Sequence, residues 1–356
     1  MTAAPIPRVA APPVLALSQG DPAGVGPEIL LKLVTEEPAG AFRPLLVAER
    51  AALEALRPVL PGAPFERLHF FAGSPAAVDL ERLPAAAIPV LDPVGARRAL
   101  RFGDSGPADA GGAMAAIDAA MALVRAGVAD ALVTAPVSKA SIAHQVRADF
   151  RGHTEYLAEA CGLERYGRDY LMAFLAPELQ VALLSTHLPL RAALDHATTE
   201  NIDAALACLD RHAGGRVAVA GINPHAGEGG LLGAEDGAEV APAVAAARAR
   251  GLDVHGPESP DSLFARARRG EFDWVLALYH DQGLIAVKTA AFGTATNWTL
   301  GLPFLRTSVD HGTAFGIAGR GVADERPLRE VVATTLALLR GALPRGRRAA
   351  SRQALS

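Results

Sequence analysis

The sequence predicts an α/β fold built around a largely parallel β-sheet. Short apolar runs rich in β-branched residues alternate with longer runs rich in Ala and Leu, which is the pattern of βαβ units. The short runs also end repeatedly in polar clusters, as expected where parallel strands present side chains to a ligand. The 356 residues, half of them apolar, suffice for two domains or one large domain.

Predicted strands and helices alternate along the whole chain. The first apolar run, VLALS, is predicted as a strand, and the next run begins at Pro27, a residue that suits the first turn of a helix. The further strands and the helices follow from the same patterns. Strands are predicted at 14–18, 44–49, 129–136, 179–186, 217–224 and 273–280. Helices are predicted at 27–37, 50–60, 111–127, 200–214, 238–251 and 328–343.

Composition argues against several classes of protein. The formal net charge is -4, which is not the basic surplus of a nucleic-acid-binding protein. The basic residues near the C-terminal end are expected to be a solvated tail: Arg345, Arg347, Arg348 and Arg352. No secretory signal and no apolar stretch of about 18 residues is present, so we expect no membrane partner. Cys161 and Cys208 are expected to be reduced core residues of a cytoplasmic protein.

Polar clusters follow five of the predicted strands and suggest one shared site. They are SQGDPAGVGPE, TAPVSK, STHLPLR, GINPHAGEGG and YHDQG. Any one of them is explained by an ordinary turn, since Gly, Pro, Asp and Asn are turn formers. Five together are better explained by a ligand bound at the carboxyl edge of the sheet.

Three of the ten histidines come directly after predicted strands, at His187, His225 and His280. A single histidine of this kind is more often structural, but three that converge suit a divalent metal such as Zn, Co, Mn or Ni. Asp261 and Asp281 are the carboxylate candidates. The other histidines without a companion motif are predicted to lie on helices or in loops as structural or surface residues: His69, His144, His196, His212 and His255.

Three further features have two interpretations each. The Gly-rich loop GDPAGVGPE presents backbone N–H groups to an anion, or is simply a tight turn between strand and helix. His153 and Thr154 precede an amphipathic helix, where Thr154 is either an N-cap or, with His153, part of a phosphate or carboxylate site. Arg306 lies in a non-helical context, which suits bidentate anion binding or a surface ion pair.

These motifs occur in the order typical of one enzyme family. GDPAGVGPE, TAPVSK, GHTEYLAE, STHLPL, GINPHAGEGGLLGAED, YHDQGLIAVKT and LGLPFLRTSVDHGTAFGIAGRGVAD together resemble the 4-hydroxythreonine-4-phosphate dehydrogenases, from about residue 14 to residue 340. The resemblance implies an NAD- or NADP-dependent enzyme of pyridoxal phosphate biosynthesis. It also implies a fold like that of isocitrate and isopropylmalate dehydrogenases, with two α/β/α lobes and a cleft between them. We expect the first lobe at 1–140 plus 300–356, on the cofactor side, and the second at 141–299, on the metal, substrate and dimer side.

The resemblance also implies roles for individual residues. The metal ligands are His187, His225 and His280, holding one divalent ion (Zn, Co or Mg) in a site shared across a homodimer. Asp261 is the acidic residue near that metal. The positions that match substrate-binding residues of the family are His153, Thr154, Lys288, Asn297 and Arg306. The residues expected to contact the nicotinamide cofactor are Gly24, Gly26, His311, Gly312 and Ala314.

The chain departs from the family pattern at two places. Gly316 stands where the family usually has Asp, which bears on cofactor binding, and TAPVSK replaces the commoner TAPINK while keeping Lys139. Relatives in the family act on phosphorylated threonate or on aromatic cis-dihydrodiols. The GHTE motif favours a phosphorylated substrate but leaves 4-phosphohydroxythreonine and phosphothreonate both open.

The implied mechanism is metal-assisted oxidation of a hydroxyl at C3, followed by loss of carbon dioxide to give 3-amino-2-oxopropyl phosphate. Lys288 is either the base or a group that steadies the developing oxyanion, and Asp261 is either a base or an orienting residue. Two other functions fit the same side chains. One is a metal-dependent hydrolase or lyase without nicotinamide, and the other is a phosphometabolite-binding protein without catalysis.

Overall fold

The computed structural model describes residues 12–36 and 40–343. Contacts group these residues into two compact units, which we call the terminal unit (12–157 and 304–342) and the central unit (158–303). The prediction from the sequence set the two divisions near residues 140 and 300. The basic residues 345–352 lie outside the described part of the chain.

The terminal unit begins with alternating strands and helices, as the sequence pattern predicts. Its strands are β1 (Val14–Ser18), β2 (Arg43–Val47), β3 (Leu68–Ala72), β4 (Ile88–Asp92) and β5 (Ala131–Thr134). Its helices in this segment are α1 (Gly26–Glu36), α2 (Arg50–Glu54), α3 (Pro107–Arg125), α4 (Lys139–Gln145) and the start of α5 (His153–Ala160), whose last three residues belong to the central unit.

The central unit follows with six strands and the helices between them. Its first strands are β6 (Leu171–Ala176) and β7 (Leu179–Leu183), followed by helices α6 (Leu190–His196) and α7 (Thr199–His212). The next elements are β8 (Val217–Ala220), α8 (Ala241–Ala249), β9 (Val254–Glu258), α9 (Pro260–Arg268), β10 (Trp274–Ala277), α10 (His280–Ala291) and β11 (Thr296–Leu300). The chain then returns to the terminal unit with β12 (Leu305–Ser308) and α11 (Arg326–Leu339).

The sheet of the terminal unit is parallel, in the order β3-β4-β2-β1-β5-β12. Every residue of strands β5 and β12 is buried, because helices cover a parallel sheet from both sides. Thr134 ends β5 opposite Ser308, so residues from β5 and β12 meet at the same edge. This arrangement confirms the predicted α/β class.

The sheet of the central unit has the order β11-β6-β7-β10-β8-β9. The strands from β7 through β10 and β8 to β9 are parallel, whereas β6 pairs antiparallel with both β7 and β11. A core of apolar side chains from β6, β7 and β10, with Leu284 and Val287 of α10, packs against this sheet. The carboxyl ends of β7, β8 and β10 therefore lie along one edge.

Several predicted elements were wrong in detail. The strand predicted to run to His280 ends at Ala277, and His280 is the first residue of α10. The helix predicted at 50–60 ends at Glu54, because the ring of Pro58 clashes with the carbonyl four residues earlier. His69 and His255 lie on strands β3 and β9, not on helices or in loops.

None of the helices within residues 12–36 and 40–343 is long and apolar enough to cross a lipid bilayer.

Candidate active site

A buried arginine lies at the edge of the terminal unit's sheet. Arg306 on β12 is only 2% exposed, and its Nη2 donates a hydrogen bond to Thr134 Oγ1 at 2.7 Å. Its Nη1 lies 3.4 Å from Thr154 Oγ1, which is a long contact. Burial lowers the pKa of Arg306 to about 10, partly opposed by Glu155, so the side chain stays charged at neutral pH. The surface ion pair considered for this residue is therefore wrong.

The N-terminus of α5 brings His153 and Thr154 to the same place. Gly152, with φ of 152°, turns the chain into the helix, and Thr154 is buried. His153 Nε2 is buried and has no hydrogen-bond partner among the described residues. Burial, followed by the charges of Arg306 and Lys139, holds the pKa of His153 well below its usual value. The imidazole is therefore neutral, with a buried ring nitrogen directed at no protein group.

Lys139, the lysine of the TAPVSK motif, adds a second cation to which the sequence pattern gives no role in the site. A Cβ placed on Gly152 would lie 3.3 Å from Lys139 Nζ and 3.2 Å from Glu155 Oε2. Lys139 therefore lies beside the start of α5. We call Thr134, Lys139, His153, Thr154 and Arg306 the anion pocket. Two cations, a helix N-terminus and an unsatisfied buried nitrogen suit an anion such as phosphate.

The two Gly-rich loops of the terminal unit contact each other. The amide of Val25 donates to the carbonyl of Thr313 at 3.0 Å, and a Cβ on Gly24 would lie 3.1 Å from the Thr313 Cβ. A Cβ on Gly26 would overlap the carbonyl oxygen of Gln19, so only glycine fits there. Ala314 is left-handed, with φ of 45°. The predicted cofactor residues at 24, 26 and 311–314 are thus brought together.

The amides of the first loop are used within the protein. The N–H of Ala23 donates to Asp21 Oδ1 at 3.0 Å, and that of Gly24 donates to the Asp21 carbonyl at 3.0 Å. Asp21 also accepts from Ser105 Oγ at 2.7 Å, and burial raises the pKa of this carboxyl. With Val25 bonded to Thr313, this loop has the geometry of a tight turn, and its amides at 23–25 are not directed at an anion.

The central unit brings two of the predicted metal ligands together. The ring centroids of His187 and His280 are 5.6 Å apart, and His280 Nδ1 lies 2.7 Å from Asp281 Oδ1. Within the described ranges, no three His, Cys, Asp or Glu side chains come together in a geometry that could hold a metal ion. Adjacent imidazoles are a donor set that divalent metals accept. This chain alone therefore supplies an assembled pair and not a complete coordination shell.

His225 is held in an unusual backbone conformation. Five consecutive residues from His225 to Gly229 have positive φ, and three of them are not glycine: His225, Ala226 and Glu228. Each such non-glycine residue costs about 1 kcal/mol or more and persists only where the surroundings enforce it. Such strain clusters at functional sites, which supports a functional role for His225.

Asp261 and Lys288 have different surroundings. Asp261 is exposed in the first turn of α9, where a hydrogen bond from Ser259 Oγ at 2.7 Å, a backbone hydrogen bond from Ser262 and the proximity of His225 lower the pKa of its carboxyl. Lys288 is eight residues from His280 on α10, which is about 12 Å along the helix axis. Lys288 and His280 are therefore not neighbouring side chains on that helix.

Asn297 lies on β11, opposite Phe174 of β6. Its Oδ1 is buried and accepts no hydrogen bond from any part of the chain that the structure describes. Buried side-chain oxygens normally have partners, so an unsatisfied one marks a place for a ligand donor. The geometry is consistent with its predicted contact with substrate, which stays a prediction.

Comparisons with known proteins give one consistent family. Residues 41–335 match the family model described as "Pyridoxal phosphate biosynthetic protein PdxA". A 4-hydroxythreonine-4-phosphate dehydrogenase from Acidithiobacillus ferrooxidans is 42% identical over 321 residues, covering 88% of this chain and 92% of that protein. A D-threonate 4-phosphate dehydrogenase from Cupriavidus necator is 38% identical over 336 residues, covering 90% and 95%.

A solved structure agrees with these relatives. The 4-hydroxythreonine-4-phosphate dehydrogenase of Klebsiella pneumoniae superposes with a TM-score of 0.79 at 35% identity, covering 92% of this chain and 99% of that one. The sequence motifs, the fold and the match to the family model all indicate the same family. The chain therefore belongs to the PdxA family of pyridoxal phosphate biosynthetic proteins.

Proposed function

We propose that this protein oxidises 4-phosphohydroxy-L-threonine at C3 with NAD or NADP, giving a β-keto acid that decarboxylates to 3-amino-2-oxopropyl phosphate. The observation that carries this proposal is the anion pocket, where fully buried Arg306 and the unsatisfied Nε2 of His153 lie at the start of α5. The names of family members support the reaction. We further propose that the protein works in the cytoplasm as a homodimer.

The anion pocket binds the substrate's phosphate. Arg306 and Lys139 supply positive charge, and the neutral ring of His153 donates from Nε2 to a phosphate oxygen. Thr154 and the first amides of α5 add donors at the positive end of the helix dipole. An anionic phosphate complements the positive charge of Arg306 and Lys139, which a neutral diol does not do. The pocket therefore favours a phosphorylated substrate over a dihydrodiol.

The histidines of the central unit hold one divalent metal. His187, His225 and His280 are the ligands, with Zn, Co or Mg as the ion, and a second copy of the chain completes the shell that one copy leaves open. When bound, this metal supplies Lewis-acid polarisation that makes the substrate hydroxyl more acidic. His280 and His187 would fix the position of the metal, and so the point at which this polarisation acts on the substrate.

The proton of the C3 hydroxyl passes to Lys288. Asp261 is a poor base, because its hydrogen bond from Ser259 and its proximity to His225 lower the pKa of the carboxyl. We assign Asp261 to orienting the histidines. Asn297 Oδ1, which is buried without a donor in the described structure, accepts a hydrogen bond from the substrate's amino group. The loops at 24–26 and 311–314 hold the nicotinamide nucleotide.

A second candidate substrate is D-threonate 4-phosphate, because a relative that is 38% identical carries that name. The two substrates share the phosphate and the oxidised hydroxyl, so the anion pocket does not distinguish them. They differ at C2, where one has an ammonium group and the other a hydroxyl. Asn297 Oδ1 accepts from either group.

The test is a spectrophotometric assay of the metal-loaded protein with each of the two substrates and with NAD and NADP separately. Nucleotide reduction with 4-phosphohydroxy-L-threonine, lost in His280→Ala and inhibited competitively by inorganic phosphate, supports the proposal. Reduction with D-threonate 4-phosphate alone supports the second candidate. No reduction with either substrate contradicts the dehydrogenase assignment.

A further inference from the structure

Three segments of the central unit carry His187, His225 and His280. Hydrogen bonds made by other residues connect these segments to one another. The buried hydroxyl of Ser185 donates to the carbonyl of Leu278 at 2.9 Å. Ser185 lies two residues before His187, and Leu278 lies two residues before His280. This hydrogen bond therefore connects the backbone segment that precedes His187 to the segment that precedes His280.

Gln282 makes the second connection, through both ends of its amide. Its Oε1 accepts from the Leu278 amide at 2.7 Å, and its Nε2 donates to the Gly221 carbonyl at 2.8 Å. Gly221 is four residues before His225 and follows strand β8. One side chain thus spans from the start of α10, which carries His280, to the loop that carries His225. A carboxylate cannot replace it, because an oxygen would then face the Gly221 carbonyl.

Asp236 holds the next part of that loop. Its carboxylate is 1% exposed and accepts from the amides of Ile222 at 2.7 Å and Asn223 at 3.0 Å, and from Asn223 Nδ2 at 3.0 Å. These groups come immediately before the run of positive φ that begins at His225. A Cβ on Gly221 would lie 3.1 Å from both Asp236 Oδ1 and the Ala226 Cβ, so the loop folds closely around the carboxylate.

We propose that Gln282 and Asp236 are positioning residues that set the directions and the spacing of His225 and His280 before a metal binds. Asp236 maintains the left-handed run that aims His225, and Gln282 fixes that run against the start of α10. The inference rests on the proposed role of the histidines as metal ligands. It explains why an amide follows a histidine and a carboxylate in the YHDQG motif.

The test is a titration of the metal-free, full-length protein with Co²⁺, followed by visible absorption, which reports ligand geometry without catalysis. We expect Gln282→Glu and Asp236→Asn to weaken Co²⁺ binding by about tenfold to a hundredfold and to change the band shape. The matched control is Gln180→Glu, since Gln180 is another hydrogen-bonded amide of the central unit but lies at the β6–β7 hairpin, bonded to the Ala176 carbonyl. Gln180→Glu should lower thermal stability and leave Co²⁺ affinity unchanged.

A conservative rescue separates positioning from general stability. Ala226→Gly favours positive φ without help from Asp236, so it should restore part of the Co²⁺ affinity lost in Asp236→Asn. If Asp236→Asn does not fold, Gln282→Glu decides the question alone. Variants that bind Co²⁺ as tightly as wild type, with the same spectrum, would overturn the inference and leave the proposed function intact. A wild-type spectrum that His280→Ala does not alter would overturn both.

Discussion

Arg306 Nη2 lies 2.7 Å from Thr134 Oγ1, in a part of the terminal unit that solvent scarcely reaches. The hydroxyl orients the guanidinium without neutralising its charge. Because burial lowers the pKa of Arg306 only to about 10, the charge persists at neutral pH. A buried cation of this kind is poorly explained by stability alone and is well explained by a ligand of opposite charge.

Replacing Arg306 should separate binding from stability. Arg306→Met removes charge-assisted hydrogen bonds worth about 1.5–3 kcal/mol each, so kcat/KM for the phosphorylated substrate should fall about tenfold to a hundredfold or more. Thermal stability of the ligand-free protein should not fall, because a desolvated charge is replaced by an apolar chain. Steady-state kinetics and a melting curve check both. A Tm that falls together with kcat/KM would show that the arginine is structural.

Lys139→Met should weaken phosphate binding with little effect on kcat. The lysine lies beside Gly152 at the start of α5 and adds charge to the anion pocket, but no reacting atom is assigned to it. We expect KM and the inhibition constant of inorganic phosphate to rise together, by about tenfold. Glu155→Gln, which removes a negative charge from the same place, should move both constants in the opposite direction. Unchanged phosphate inhibition in Lys139→Met would remove this lysine from the pocket.

Stability should decrease as the solution is made acidic, and His153 should contribute to the slope. Its folded-state pKa lies well below 6.5, so on acidification the unfolded chain binds a proton that the folded chain excludes. The unfolding free energy should fall below about pH 6.5, by up to about 1.4 kcal/mol per pH unit for this histidine. His196 and His212, whose pKa values burial also lowers, add to it.

The measurement is chemical denaturation between about pH 8 and about pH 5, comparing wild type with His153→Asn. The variant should have a shallower dependence at the acidic end and the same flat dependence above about pH 7.5. Equal slopes in the two proteins would mean that His153 titrates normally in the folded state.

Replacement by alanine should reduce the free energy of unfolding at one glycine of the predicted cofactor loops and leave it almost unchanged at another. A Cβ on Gly26 overlaps the Gln19 carbonyl, so Gly26→Ala should destabilise the protein by more than about 2 kcal/mol. At Gly316 nothing in the described structure lies within 4 Å of a Cβ, so Gly316→Ala should change stability by less than about 0.5 kcal/mol. Urea denaturation of the two variants tests this contrast. Similar losses in both would contradict the packing of the first loop.

Gly316→Asp should shift the cofactor preference towards NAD. The position stands in the loop expected to bind the nicotinamide nucleotide, and it has room for a side chain. A carboxylate there would repel the 2′-phosphate of NADP and accept from the 2′-hydroxyl of NAD. We expect the ratio of kcat/KM values, NAD over NADP, to rise by at least about tenfold, which is about 1.4 kcal/mol. An unchanged ratio would place the adenosine end of the cofactor elsewhere.

Local patterns in the sequence were sufficient for the α/β class and for many elements. VLALS is a strand with the predicted bounds, and the segments after β7 and β10 bring the rings of His187 and His280 within 5.6 Å of each other. Strand β12 was missed because LRTS contains two hydroxyls and an arginine, although it is fully buried. Its polar groups are satisfied by distant partners: Thr307 Oγ1, for example, lies 2.7 Å from Thr335 Oγ1 of α11. No local pattern reports such a partner.

The sequence identifies candidate site residues by their own chemistry. It does not identify residues whose role depends on the groups that surround them in the fold. Arg306 had two interpretations, because sequence does not show whether a strand residue is buried. Gln282 is not a metal-ligand type, and Asp236 does not follow a predicted strand. The positioning role proposed for them rests on hydrogen bonds to Gly221 and Asn223. His280 was assigned to the end of a strand because the apolar run of β10 leads up to it without a helix signal.

The run from His225 to Gly229 is a short left-handed segment in which three of the five residues are L-amino acids and two are glycine. The Cα–Cβ bond of His225 therefore leaves the backbone in a direction that no right-handed turn at the same place reproduces. A loop that is transplanted or designed to present an imidazole at this position must first have the same left-handed backbone conformation, whatever its composition. Only loops that adopt this left-handed conformation can therefore replace the segment. This condition excludes more loops than a match of length or polarity does.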